Sequence, residues 1–193
     1  MIRTPRLCLR PWCEDDKPAA AALLNTLAVT EYLDGVKDRA TFDALIDGQM
    51  AMQVRHGLSL WAVESLEDRT LAGLCGLRFG GHAGTAVPDE LEIGWRFGER
   101  FWGRGFAREA AAACLRWGWE NTGRPRISAW TVPANGASRG LMLRLGMVRR
   151  PDLDFDHPRF PDGHPLRRHV VYVAERAAAL RSTPDEFDCG SGC

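Results

Sequence analysis

Residues 100–109 read RFWGRGFARE. Gly103 and Gly105 stand one residue apart among Arg100, Arg104 and Arg108, between a strand-like LEIGWRF (91–97) and an Ala-rich stretch. A helix that opens near Gly103 leaves its first amides without intrahelical acceptors and turns the positive end of its dipole toward the loop. Glycine removes the Cβ that would hold a ligand off the backbone. With the arginines, this turn makes a seat for an anion, phosphate above all. It is a poor dinucleotide fingerprint, because Arg108 stands where the third glycine of GxGxxG belongs and the turn falls mid-chain after hairpins. The GK[ST] of a P-loop is missing as well.

Two further clusters could carry chemistry. His157, His164 and His169 lie in DFDHPRFPDGHPLRRH (154–169), at spacings of seven and five, with proline after the first two. Those spacings match neither a helical nor a finger-type zinc site. The segment is expected instead to form a structured loop whose histidines cap turns or line a pocket. The cysteines (Cys8, Cys13, Cys75, Cys114, Cys189, Cys193) are scattered without CxxC pairing, so no metal is expected. Cys189 and Cys193 belong to an end segment, 179–193, expected to be a flexible tail.

The elements that position these residues can be read from periodicity. RLCLRPW (6–12) alternates and ends at a proline, an opening strand. EDDKP (14–18) starts a helix with Ala20, Leu23, Leu24 and Leu27 on one face. A second helix is expected over about 41–56, with Phe42, Leu45, Ile46, Met50, Met52 and Val54 apolar and Gly57 as its stop. LSLWAVES (58–65) and LAGLCGLRFG (71–80) form a hairpin, and LEIGWRF is the next strand. After the glycine turn, Ala107, Ala110, Ala111, Cys114, Leu115 and Gly118 share one small-residue face suited to close packing on a sheet. RISAWTV (126–132) is a strand, Ala137–Leu145 a short helix, and HVVYVA (169–174) a late strand. Trp102 and Trp130 are expected to pack in the core or against the sheet. The order β-α-α-β-β-β-α-β-α-β implies an α/β (α+β) domain over residues 1–178, with a mixed, mostly antiparallel sheet flanked by helices.

Composition narrows the class. The 193 residues carry 25 basic and 25 acidic side chains, 45% hydrophobic residues, and a formal net charge of zero. A neutral chain has no bulk attraction for nucleic acid or an anionic membrane, so neither is expected as a partner. No apolar leader is visible near the N-terminus, and no run of about 18 apolar residues suggests a membrane span. A cytoplasmic location with reduced thiols follows as an expectation.

RFWGRGFA (100–107) resembles the R/Q-x-x-G-x-G/A-x-A signature of the GNAT superfamily of acyl-CoA N-acyltransferases. The flanks agree: EIGW (92–95), the Ala-rich helix, TVPAN (131–135) and SRGLMLRLGM (138–147), with TPRLCLRPW at the start. The set is similar to the branch holding the Rim-type ribosomal-protein acetyltransferases. The resemblance implies acetyl-CoA as acyl donor and an amine as acceptor, a peptide N-terminus or a small molecule. It implies a central strand splayed from its neighbour, whose backbone at Trp95, Arg96 and Phe97 pairs with the pantetheine arm. It seats the CoA pyrophosphate on Arg100, Gly103, Arg104, Gly105, Phe106 and Ala107. Dimerisation is compatible with the branch, although no apolar stripe here demands it.

Acyl transfer to an amine by direct attack in a ternary complex needs a neutral nucleophile, a polarised thioester and a leaving thiolate. Strand alternation and the resemblance make Glu92 the candidate base, with Glu90 on the same face as substitute; the plainer reading is a glutamate paired with arginine. Asn135 is a candidate pantetheine contact and equally an N-cap. Met142 stands where many relatives carry a tyrosine acid, which leaves Ser138 as donor and CoA contact, or no dedicated acid at all. Loss of the tyrosine also keeps open a non-catalytic acyl-CoA-binding or sensing module of the same shape. The acceptor-side loops fall at about 33–39 and 152–165, and their mixed charge specifies no acceptor.

Overall fold

The computed structural model describes residues 1–176. The end segment expected to be a flexible tail, with Cys189 and Cys193, lies outside the described residues, as do the last two residues of the expected domain. Nine strands form one sheet in the order β1-β2-β3-β4-β5-β6-β9-β7, with β8 paired to β9. The strands are β1 (Ile2–Arg3), β2 (Leu7–Arg10), β3 (Leu60–Ser65), β4 (Leu71–Gly80), β5 (Glu90–Phe97), β6 (Arg126–Thr131), β7 (Val148–Arg149), β8 (Phe155–Asp156) and β9 (Arg168–Glu175). The helices are α1 (Lys17–Leu24), α2 (Leu27–Thr30), α3 (Arg39–His56), α4 (Phe106–Asn121) and α5 (Gly136–Arg144). The sheet is mixed and mostly antiparallel, as the alternating patterns imply. The short β1, β7 and β8, and α2, are too brief to leave a periodic trace.

One pairing is parallel. β5 and β6 meet at Glu92 and Ser128 alone, whereas β4 and β5 pair in register from Gly73↔Phe97 to Gly80↔Glu90. β5 therefore runs five residues past its one ladder pairing with β6, and the two strands splay. The closed end is pinned by polar bonds: Arg126 pairs with Glu90, and Ser128 Oγ donates to Glu90 Oε2 at 2.7 Å.

The sheet has two apolar faces. Leu91, Ile93 and Phe97 of β5 pack with Ala110, Ala111, Cys114 and Leu115 of α4. Ala62 and Leu74 pack on the other face with Leu24, Phe42 and Ile46 from α1 and α3. The small face of α4 is needed for its close approach: a Cβ at Gly118 would stand 2.8 Å from side-chain atoms of both Ile127 and Leu77. α3 departs from expectation. Only Phe42 and Ile46 are buried on it, while Leu45 and Val54 are 48% and 89% exposed. A single sheet face contacts only a narrow stripe of an 18-residue helix, so apolar spacing overstated what it buries.

β4 crosses β3 closely enough that a Cβ at Gly76 would sit 2.0 Å from the Ser59 carbonyl oxygen. Backbone cannot yield as a side-chain tip can. We predict that Gly76→Ala destabilises the fold by about 2–3 kcal/mol. Gly57→Ala, at an open helix stop with φ +71°, costs about 1–2 kcal/mol. Urea denaturation of both variants measures the difference.

Candidate active site

The glycine turn continues directly from the splayed end of β5. Residues 99–101 form one 3₁₀ turn, and Gly103 and Gly105 adopt φ of +71° and +79°. No right-handed helix passes through those angles, so α4 begins at Phe106 rather than near Gly103. The amides of residues 103–108 have no hydrogen-bond acceptor among the described residues. Above Gly103 the space is open, with nothing within 4 Å of the position a Cβ would take. Free amides, the N-terminus of a 16-residue helix and the exposed Arg100, Arg104 and Arg108 fit an anionic diphosphate. Trp102 overturns its expectation. It is 51% exposed, and only its indole N–H is anchored, donating to the Phe97 carbonyl at 2.7 Å.

The turn is held from behind by the N-terminal segment. Thr4 Oγ1 and the Arg6 amide both donate to Glu109 Oε1, at 2.6 and 2.9 Å, and Arg6 Nε donates to Oε2 at 2.6 Å. Arg6 Nη1 also donates to the Arg104 carbonyl at 2.9 Å. Glu109 lies in the first turn of α4, where the helix dipole favours a negative charge. Burial alone would raise the Glu109 pKa, but the bonds from Thr4 and Arg6 hold it below the usual range. No sequence motif signalled this clamp, because its members are about a hundred residues apart.

The side of β5 away from α4 carries Glu90, Glu92, Gly94 and Arg96. Glu92 is buried, and Arg78 Nε donates to its Oε2 at 2.6 Å; the plainer alternative, a glutamate paired with arginine, describes this geometry. Glu90 is bound by Arg126 and Ser128 at the closed end. On the same face His169 stacks on Phe155 (5.3 Å between centroids), and His157 approaches His82 (4.2 Å) and His169 (5.2 Å). Trp130 packs edge-on to Phe155, as expected of it. Burial first, then the charges of His82 and His169, push the His157 pKa down to about 4, and burial lowers those of His82 and His169 too. The three imidazoles thus form a neutral aromatic wall. Among the described residues no group of three or more His, Cys, Asp or Glu is placed to hold a metal ion.

At the far end of β6 a cavity of about 390 Å³ opens between Val132, Ala134, Glu31, Tyr32, Asp34 and His164. Arg159 Nη2 reaches Asp34 Oδ2 at 2.5 Å, strapping the histidine loop to the segment after α2. His157 and His164 cap turns, accepting from the amides of Arg159 and Leu166. Asn135 N-caps α5, accepting from the Ser138 amide at 3.1 Å while its Nδ2 donates to Thr131 Oγ1. Ser138 is half-buried at the same helix start. Met142 is buried in the core. Tyr32 brings a phenol to the cavity, a placement decided by the turn after α2 and absent from any motif.

This arrangement has close counterparts. Residues 6–148 match the acetyltransferase (GNAT) domain family. The chain belongs to that family. The YkkB protein of Bacillus subtilis is 31% identical over 153 residues, 75% of this chain and 83% of YkkB. An acetyltransferase structure from Agrobacterium tumefaciens superposes with a TM-score of 0.72 at 25% identity, covering 90% of this chain and 93% of that one. The fold is also that of RimL, a ribosomal L7/L12 alpha-N-protein acetyltransferase solved with coenzyme A (TM-score 0.71, 17% identity, 89% and 95% coverage). GNAT proteins use acetyl-CoA as co-substrate, and the free amides of the glycine turn suit its diphosphate.

The Glu109 clamp yields a prediction. Replacing Glu109 with Gln costs about 2 kcal/mol of stability near neutral pH. Because the folded pKa is depressed, Glu109 stabilises the fold above its unfolded value of about 4.3 and loses that effect as pH falls through the folded value. The gap between wild type and Glu109→Gln therefore narrows below about pH 4, as thermal melts across pH would register.

Proposed function

We propose that this protein transfers an acetyl group from acetyl-CoA to a primary amine, by direct attack within a ternary complex. The observation that carries the reading is the run of acceptor-free amides at 103–108, set where β5 has left β6. The amides of 103–107 with Arg100 and Arg104 hold the diphosphate. The freed backbone of Trp95, Arg96 and Phe97 pairs with the pantetheine arm, and Asn135 and Ser138 flank it from α5. Bound in this way, acetyl-CoA supplies an activated acyl carbon.

The acceptor enters from the opposite face, over Glu92. Its nitrogen forms the N–C bond, the C–S bond breaks, and the electron pair leaves on sulfur. One proton passes from nitrogen to Glu92 or solvent, and one reaches the thiolate. The bond from Arg78 Nε fixes Glu92 Oε2 and leaves Oε1 as the oxygen that can take the proton. Ser138 and Tyr32 are the hydroxyl groups on the cleft side able to supply the sulfur; neither is essential if the thiolate leaves unaided, its pKa being about 8.5 for a comparable thiol.

The hold of Arg78 on Glu92 favours one second reading, an acyl-CoA-binding module without turnover. Thiol release from acetyl-CoA over a panel of amines separates the two. An enzyme shows turnover that Glu92→Gln lowers about 100-fold, with CoA affinity by calorimetry retained. A sensor binds CoA and releases no thiol with any amine. Ser138→Ala and Tyr32→Phe identify the acid: the variant that slows release about tenfold or more marks the donor, and two silent variants mark an unassisted thiolate.

A further inference from the structure

Among the described residues, Arg96 is the one arginine withdrawn from solvent that has neither an ion pair nor a hydrogen bond. Every other described arginine that is not exposed has a partner: Arg10 holds Asp16, Arg78 holds Glu92, Arg126 holds Glu90 and Arg149 holds Asp154, while Arg124, Arg150 and Arg167 pair with Asp89, Asp152 and Asp162 and Arg176 donates to the Trp119 carbonyl. A half-buried guanidinium with five idle donors is costly, and the sequence elsewhere supplies an acid or a carbonyl whenever an arginine is withdrawn. The surroundings of Arg96 supply none. Its cross-strand neighbour is Leu74, buried in the α1–α3 cluster. Two residues before it is Gly94, facing Leu60, and two after it is Gly98, facing Leu23. Burial, then the charge of Arg78, lowers the Arg96 pKa to about 10, which leaves it cationic at neutral pH.

Its place on the fold says what it waits for. Arg96 lies on the Glu92 side of β5, four residues along the strand, about 13 Å at the backbone, and its own side chain shortens that span. The one nearby carboxylate on this face, Glu92, is taken by Arg78, and the histidine wall is neutral. The floor of the acceptor cleft is thus left with one uncompensated positive charge.

We propose that Arg96 is the specificity-determining residue for the acceptor, and that the acceptor is a small amine that also bears a carboxylate, which the Arg96 guanidinium receives as a fork. Planar guanidinium matches carboxylate with two parallel bonds. The ligand supplies the missing counter-ion, so the cost of the unpaired cation is removed only in the complex. An amine without an anionic group leaves that cation desolvated and unpaired and is rejected. This assignment rests on the acetyltransferase reading of the same cleft. The same donors could instead meet a CoA phosphate, and the test separates the two sources.

The test uses pairs of amines that differ only in the carboxylate: phenylalanine and phenethylamine, tyrosine and tyramine, lysine and 1,5-diaminopentane. Wild type is expected to favour the carboxylate member in kcat/KM by at least about tenfold. Arg96→Met removes that preference, and Arg96→Lys, which keeps the charge without the fork, retains part of it. Equal rates within each pair for wild type, or a preference undiminished in Arg96→Met, overturns the proposal. So does a tenfold loss of CoA affinity in Arg96→Met with discrimination intact, which assigns the anion to the cofactor.

Two measurements stand apart from turnover. Calorimetry on the CoA-loaded protein compares N-acetylphenylalanine with N-acetylphenethylamine; tighter binding of the first, lost in Arg96→Met, supports the site even if no amine on the panel reacts. Equal binding of the two refutes it. Thermal melts of the ligand-free protein are expected to show Arg96→Met at least as stable as wild type. A large loss of Tm makes Arg96 structural and removes the proposal. Failure of the acetyltransferase reading looks different: CoA binds, no thiol is released with any pair, and the differential binding of N-acetyl products persists.

Discussion

The truncated parallel ladder between β5 and β6 is the constraint on which the rest depends. A sheet ordinarily satisfies every interior backbone group, and leaving a central strand half-paired is unfavourable unless something fills the gap. Here the closed end is secured by the Arg126–Glu90–Ser128 bonds, and β6 is drawn the other way by six consecutive pairings with β9. β5 is held just as firmly to β4. Each strand is thus committed to a different neighbour, and this holds the wedge between them open. It opens toward the glycine turn on one side and the histidine wall on the other.

The two sides of the wedge differ in character. Toward α4, backbone donors prevail: amides that lack acceptors because two left-handed glycines delay the helix. Toward α1 and α3, side chains prevail: an ion-paired glutamate, neutral imidazoles and a guanidinium without a partner among the described residues.

Much of this was legible in the chain itself. GRG with its arginines marked the turn whose amides the fold leaves without acceptors, and the small face of α4 marked close packing on the sheet, because both signals are local. Strand parity put Glu92 and Glu90 on one face, and both lie on the side of β5 opposite Leu91 and Ile93, since alternation leaves no choice. The expectations that failed did so for lack of a partner in view. Trp102 is apolar enough to bury, yet the turn leaves about half of it exposed. Leu45 and Val54 had helical spacing, yet α3 meets the sheet along a stripe too narrow for them.

The sequence determined the longer elements, the faces of the strands and of α4, the glycine turn and the family, because these depend on residues within a dozen positions of one another. Tertiary structure alone decided which charges are neutralised. Arg78 took Glu92, Thr4 and Arg6 took Glu109, and Arg159 took Asp34. Among the described residues Arg96 was left without a counter-ion. Ion pairing acts over a few ångströms between residues up to 125 positions apart, and only the folded chain brings them within that distance.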